Sequence, residues 1–326
     1  MQTNEAQIAR KRRMGAYLAL VLMSMLYSGN LISARILAPQ VPPIALSAYR
    51  GILGLLVLLP LAWRTMKASP KPNRRDWFML SLLGFLGITV AYGSFLWGMQ
   101  YTSASNAAII FATNPAVTNG LLVLFWGVKP TRIQLLGIFS AFIGLVVVIS
   151  QGSISRLLGF HLSASDLVLL INVLAIALFT NLSQGVMAKF SPVVTTVYTL
   201  VFGTLFLLPY GVWETTQRGW HLTWQGWLIF FYMGFIVTGF ALFLNFAAID
   251  GIGSGQAAVF GNLAPVFSMI LAVFVLGEHL YTYHWLGFAL VVGGILLSIS
   301  KDFRNSPDPP KVNGGGRNKT GEVRDT

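Results

Sequence analysis

The 326-residue chain contains no cysteine, which excludes disulfides, thiolate catalysis and cysteine-based metal sites. Charge is almost as scarce. Asp, Glu, Lys and Arg make up 10% of the residues, against roughly 25% in a soluble domain. A globule of this size cannot clothe its surface with so few charges, so a soluble enzyme, a disordered chain and a nucleic-acid-binding domain are excluded. What the chain has instead is apolar bulk: 55% hydrophobic residues, 33 glycines and a mean hydropathy of +0.69. That is the composition of a polytopic membrane protein whose main partner is the lipid bilayer.

Hydropathy marks ten apolar segments, at 14–36, 43–63, 77–100, 104–126, 132–150, 166–188, 193–213, 225–248, 255–276 and 283–300. The expected organisation is a basic cytoplasmic N-terminus (1–13), a first five-helix repeat (14–150), an outer linker (151–165), a second five-helix repeat (166–300) and a disordered cytoplasmic tail (301–326). Arg10-Lys11-Arg12-Arg13 ahead of the first segment looks like the start of a signal peptide. The apolar run that follows is too long for one, so a retained first helix is expected.

The net charge of +12 is read as topology. With the N-terminus inside, 18 of the 22 Lys and Arg residues fall on the inner side and three, Arg35, Arg156 and Arg218, on the outer side. This bias implies that both termini are cytoplasmic, with an even number of spans.

Acids are missing from the ten segments. Asp166, Asp250 and Glu278 sit at segment ends, and His161, His221, His279 and His284 lie in or near outer loops. No proton-coupling carboxylate is therefore visible. A phosphate-binding loop is also missing, so the chain carries no ATPase of its own. No cofactor, resident metal or catalytic residue is expected.

The halves repeat. At a shift of 150 residues, Trp77 falls on Trp227, Gly84-Phe85 on Gly234-Phe235, Pro115 on Pro265, Gly137 on Gly287 and Gly144 on Gly294. At 149, Tyr49 falls on Tyr198, Gly54 on Gly203 and Pro60 on Pro209. Five spans is an odd number, so the second repeat must cross the membrane in the opposite sense, as in many secondary transporters. The fold class expected is an all-α polytopic membrane protein with ten transmembrane helices in two inverted five-helix repeats.

Each half contains an Ala-Ala…Pro helix, a short turn and a glycine-spaced helix. The first reads Asn106-Ala107-Ala108 to Pro115, then Gly137 and Gly144; the second reads Gln256-Ala257-Ala258 to Pro265, then Gly277-Glu278, Gly287 and Gly293-Gly294. This pattern resembles the EamA-type branch of the drug/metabolite transporter superfamily over about residues 14–300. The resemblance implies a carrier in a bacterial-type inner membrane, often an exporter of amino acids or other small metabolites. An intramembrane enzyme on lipid-type substrates and a non-transporting scaffold are the alternatives. A small-molecule substrate is the expected partner, with a second copy of the chain as a further candidate.

Three groups of residues are candidates for function. Pro115 and Pro265 lie mid-segment, where each removes an amide donor and breaks a helix; they mark either a transport site or a kink. Arg50 is the one ionisable residue well inside a segment, about 10 Å beyond Pro43 along a helix. It either meets a substrate carboxylate or serves structure. Asn30, Asn114, Asn181, Asn245, Gln256 and Asn262, with Tyr92 and Trp97, could line a cavity for a polar, weakly charged solute. Interhelical hydrogen bonding is the competing role of such amides.

Overall fold

The computed structural model describes residues 2–126, 131–153, 163–241, 244 and 263–299. All regular structure among the described residues is helical. The helices are α1 (Gln2–Leu37), α2 (Pro43–Ala68), α3 (Arg74–Gly84), α4 (Ala91–Gly98), α5 (Ala104–Ala112), α6 (Asn114–Trp126), α7 (Arg132–Ile149), α8 (Ala164–Met187), α9 (Pro192–Arg218), α10 (Trp224–Phe231), α11 (Leu263–Leu276) and α12 (Thr282–Ile299). Two π-helical segments intervene, Phe85–Val90 between α3 and α4, and Tyr232–Ala241 after α10. Among the described residues, seven stretches are long and apolar enough to cross a membrane: Tyr17–Leu37, Pro43–Ala68, Arg74–Gly98, Ala104–Phe125, Ala164–Met187, Pro192–Arg218 and Trp224–Ala241. Leu135–Val148 and Ala264–Leu276 are shorter apolar helices.

Local chemistry sets the boundaries. Pro43 and Pro192 occupy first helical positions, where a missing amide costs nothing. Ser103, Ser163, Ser191 and Thr223 each cap a helix through the side-chain oxygen, a device worth about 1 kcal/mol. Asn73 and Asp76 form a reciprocal capping box, with both bonds at 2.8 Å. The break ascribed to Pro115 falls at Thr113, between α5 and α6. That is where a proline two residues ahead stops continuation of the helix.

Helices extend past the hydropathic segments. Helix α2 runs to Ala68, so the linker expected at 64–76 shrinks to five residues. Helix α9 runs to Arg218 and so contains Glu214, which lies just beyond the apolar segment 193–213.

Helices α7 and α12 run antiparallel along a seam of small residues. A Cβ on Gly144 would lie 2.7 Å from the Gly287 carbonyl oxygen, and Gly294 abuts the Gly137 carbonyl. Between these contacts, Ser140 Oγ donates to the Leu290 carbonyl at 2.9 Å. Helix α2 packs on α9 and on the second π-helical segment; α9 packs on α3 and the first. Helix α1 lies against α11 and the second π-helical segment, as α8 lies against α6 and the first. Every one of these pairings has its counterpart under the 150-residue shift.

Candidate functional site

Two ends of the bundle differ in how they are tied. One, called here the Gln40 end, carries residues 38–42, 99–103, 219–223 and 277–281. There Arg35 Nη1 donates to the carbonyls of Met99 and Gln100 at 2.9 and 3.0 Å, and Gln40 Oε1 accepts from the Thr223 amide at 3.2 Å. Two carboxylates each hold a helix N-terminus. Glu214 Oε2 accepts from the amides of Ile44 and Ala45 at 2.9 and 3.0 Å. Glu278 accepts from the Ala104 amide at 2.8 Å, the Ser105 amide at 3.0 Å and Ser105 Oγ at 2.6 Å. Both carboxylates thus face the positive end of a helix dipole. They belong to the second half of the chain, and the helices they hold belong to the first. At the opposite end, Lys189 pairs with Asp76.

A polar pocket of about 340 Å³ opens beside Glu278, bounded by Asn106, Ser163, Asp166 and Tyr283 among others. His284 Nε2 meets Asn106 Oδ1 there at 2.9 Å, while its Nδ1 accepts from the Tyr281 amide at 2.9 Å.

Deeper in the bundle lies Arg50. Its residue is only 2% exposed. The guanidinium sits over the Tyr92 ring, 4.4 Å from the centroid, and Tyr27 of α1 is close enough to act on it electrostatically. Arg50 Nε donates to Thr238 Oγ1 at 3.2 Å. Thr238 in turn donates to the Met233 carbonyl at 2.8 Å, five residues back, in the wider turn of a π-helix. Arg50 Nη1 is buried with no partner, and no carboxylate among the described residues pairs with this cation. The two π-helical segments therefore flank one arginine: Tyr92 stands just past the first and Thr238 lies within the second. Such segments recur at functional sites because they re-aim side chains and free carbonyls. The carbonyls freed near the first are taken up, that of Ala91 by Asn172 Nδ2 at 2.6 Å and that of Tyr92 by Ser47 Oγ at 3.1 Å.

The remaining candidates divide. Asn30 lies one turn beyond Tyr27 on α1, with a buried Oδ1 that has no partner. Asn181 Nδ2 donates to the Thr118 carbonyl at 3.1 Å, and Thr118 Oγ1 donates to the Asn114 carbonyl at 2.8 Å. This second cluster, where α6 meets α8, leaves the Oδ1 atoms of Asn114 and Asn181 buried and unpaired. Trp97 instead lies against Tyr101 near the Gln40 end, with ring centroids 5.0 Å apart. Asn245, Gln256 and Asn262 lie outside the described residues. Pro115 and Pro265 sit in the first turn of α6 and near the start of α11. The two proline spans touch directly, through α5 and α11. Sequence reasoning missed Thr238, a threonine within an apolar stretch, and Glu214, hidden by the hydropathy boundary.

Comparison with known proteins agrees with this architecture. The EamA-like transporter family model matches twice, at residues 14–150 and 163–300. The uncharacterized transporter YetK of Bacillus subtilis is 25% identical over 299 residues, covering 91% of this chain and 90% of its own length. YyaM of the same organism, also an uncharacterized transporter, is 28% identical over 300 residues, with 87% and 93% covered. The protein WALLS ARE THIN 1 of Arabidopsis thaliana is 24% identical over 316 residues, with 86% and 81% covered. A solved crystal structure superposes with a TM-score of 0.61 at 16% identity, over 90% of this chain and 99% of the other, and so shares its fold. Two family matches spanning nearly all the apolar sequence, on an all-helical bundle, place the chain in the EamA-like transporter family as a multi-pass membrane transporter of the drug/metabolite type.

Proposed function

We propose that the chain is a secondary carrier that exports a small organic metabolite, an amino acid or similar solute, across a bacterial-type inner membrane. Transport runs by alternating access between two inverted five-helix halves, with ten spans and both termini in the cytoplasm.

The observation that carries this reading is the α7–α12 seam. Its two helices are antiparallel, are related by the 150-residue shift and touch at mutually corresponding residues. A two-fold axis between antiparallel membrane helices lies in the plane of the bilayer, which is the symmetry of an inverted repeat. The halves can then exchange conformations, and the exchange opens the site to opposite sides. The basic residues support the orientation: Arg64, Lys67, Lys71, Arg74, Arg75 and Lys189 gather at the end opposite Gln40. On this orientation the stitched Gln40 end is external.

Overexpression in cells, followed by comparison of extracellular and intracellular metabolite pools, tests the function. A metabolite enriched outside the cell supports it. Unchanged pools count against it, and a new lipid product would mark an intramembrane enzyme instead. Tags near residues 5 and 320 test the orientation, and surface accessibility of either refutes it.

A further inference from the structure

Arg50 is a buried charge with no ion-pair partner among the described residues. A buried arginine in a membrane protein costs several kcal/mol unless it is paired, hydrated or held by backbone carbonyls. Here Nε is bonded to a neutral hydroxyl, one ring face covers the guanidinium, and Nη1 keeps an unused donor.

The repeat itself shows that the fold does not need this charge. Gly54 of α2 packs onto Thr238, while its counterpart Gly203 of α9 packs onto Ile88. Ile88 corresponds to Thr238 at a shift of 150, and Thr199 corresponds to Arg50 at 149. The same helix-on-π contact is thus built twice, once around arginine and threonine and once around threonine and isoleucine. In the second version Thr199 Oγ1 satisfies itself on the Thr196 carbonyl at 3.0 Å. A merely structural role would be met by the neutral pair, so the charged pair is a local departure from symmetry.

We propose that Arg50, supported by Thr238 and Tyr92, is the docking group for a carboxylate of the transported solute. This rests on the carrier reading above and narrows its substrate class. One free guanidinium arm and a single uncompensated positive charge suit a monoanionic group. A dianionic phosphate would call for additional cations. The Tyr92 ring covers the guanidinium, and Asn30 Oδ1, on α1, is an unfilled acceptor. An unused donor on α2 and an unused acceptor on α1, two helices that both pack on the second π-helical segment, match a solute with both a carboxylate and an N–H or O–H group. Amino acids and 2-hydroxy acids share that chemistry.

The test uses the purified full-length chain in proteoliposomes. The probes are the proteinogenic amino acids taken singly, and for each the 2-hydroxy acid, which keeps the carboxylate, and the amino-acid amide, which loses its charge. Wild-type protein is expected to move at least one carboxylate-bearing probe, with its amide competing at least about tenfold more weakly, the effect of one charge-assisted contact. Competition by the 2-hydroxy acid as strong as by the amino acid assigns recognition to the carboxylate alone; weaker competition adds the ammonium group, and either outcome supports the docking role. Arg50→Gln is expected to raise the half-saturation concentration at least about tenfold, and Arg50→Lys to recover part of that loss because the charge remains while the planar fork is gone. Should Arg50→Gln fail to fold, the amide comparison on the wild-type chain decides alone. Equal competition by amide and acid, or unchanged half-saturation in folded Arg50→Gln, overturns the carboxylate site while leaving a working carrier. Transport of none of the probes by the wild-type chain overturns the carrier reading, and this proposal with it.

Discussion

The Glu278 contact sets up a quantitative experiment on gating. Glu278→Gln keeps the side chain's shape but removes its charge, and it turns one of two acceptor oxygens into a donor. Three donors now converge on that carboxylate. The amide can still accept from the Ala104 N–H, but its NH₂ group then faces the Ser105 N–H. The loss comprises one charge-assisted bond, about 1.5–3 kcal/mol, and the favourable placement of an anion at the α5 N-terminus, about 0.3–1 kcal/mol. A total of about 2–4 kcal/mol shifts the equilibrium between closed and open Gln40 ends by about 30- to 1,000-fold. A chain without cysteine is ready for the readout. Ala108, on the same face of α5 as Ser105 and buried, is replaced by cysteine, and its labelling by a membrane-impermeant thiol reagent is timed from outside the cell. Labelling should accelerate at least about 30-fold in the Glu278→Gln background until the open form predominates. A rate changed less than about twofold, with folded protein at normal amounts, would refute the idea that this contact holds the end shut.

Four further substitutions have expected outcomes. Glu214→Gln, which loosens the α2 N-terminus at the same end, should act in the same direction as Glu278→Gln, and opposite effects on the labelling rate would separate the two contacts into different devices. Gly144→Ala should destabilise by about 1–3 kcal/mol, because its Cβ would press on backbone oxygen; Gly120→Ala, with open space around it, should be neutral or stabilise by up to about 1 kcal/mol in thermal unfolding of detergent-solubilised protein. Asn181→Ala should cost only about 0.6 kcal/mol by the same assay, since one bond to the Thr118 carbonyl is lost, and a loss above about 2 kcal/mol would mean that Asn181 anchors the α6–α8 packing.

Much of the bundle was legible in the order of residues. Periodic proline and glycine pairs gave the repeat, and the apolar runs are helical where their residues are described. Arg50 stood out because charge is costly wherever lipid replaces water. Of its partners, Tyr92 was among the aromatic candidates, but Thr238 did not stand out. Thr238 lies within a π-helical turn, and runs such as Tyr232–Ala241 and Phe85–Val90 read as ordinary apolar helix. Glu214 escaped notice because hydropathy places a boundary where the polar residues begin, whereas a helix continues as long as its backbone bonds do. Which donors a carboxylate collects is a long-range fact: Glu214 and Ala45 are 169 residues apart.

The seam between α7 and α12 has one more consequence. Because Gly144 meets Gly287 just as Gly294 meets Gly137, the surface one half offers is the surface the other half seeks. This is the logic of an isologous dimer, with the two subunits joined in a single polypeptide. The covalent link between them contributes proximity. Two polypeptides, residues 1–150 and 151–326, made together in one cell should therefore find each other through it. Each glycine contact has a twin, so widening one leaves the other gripping.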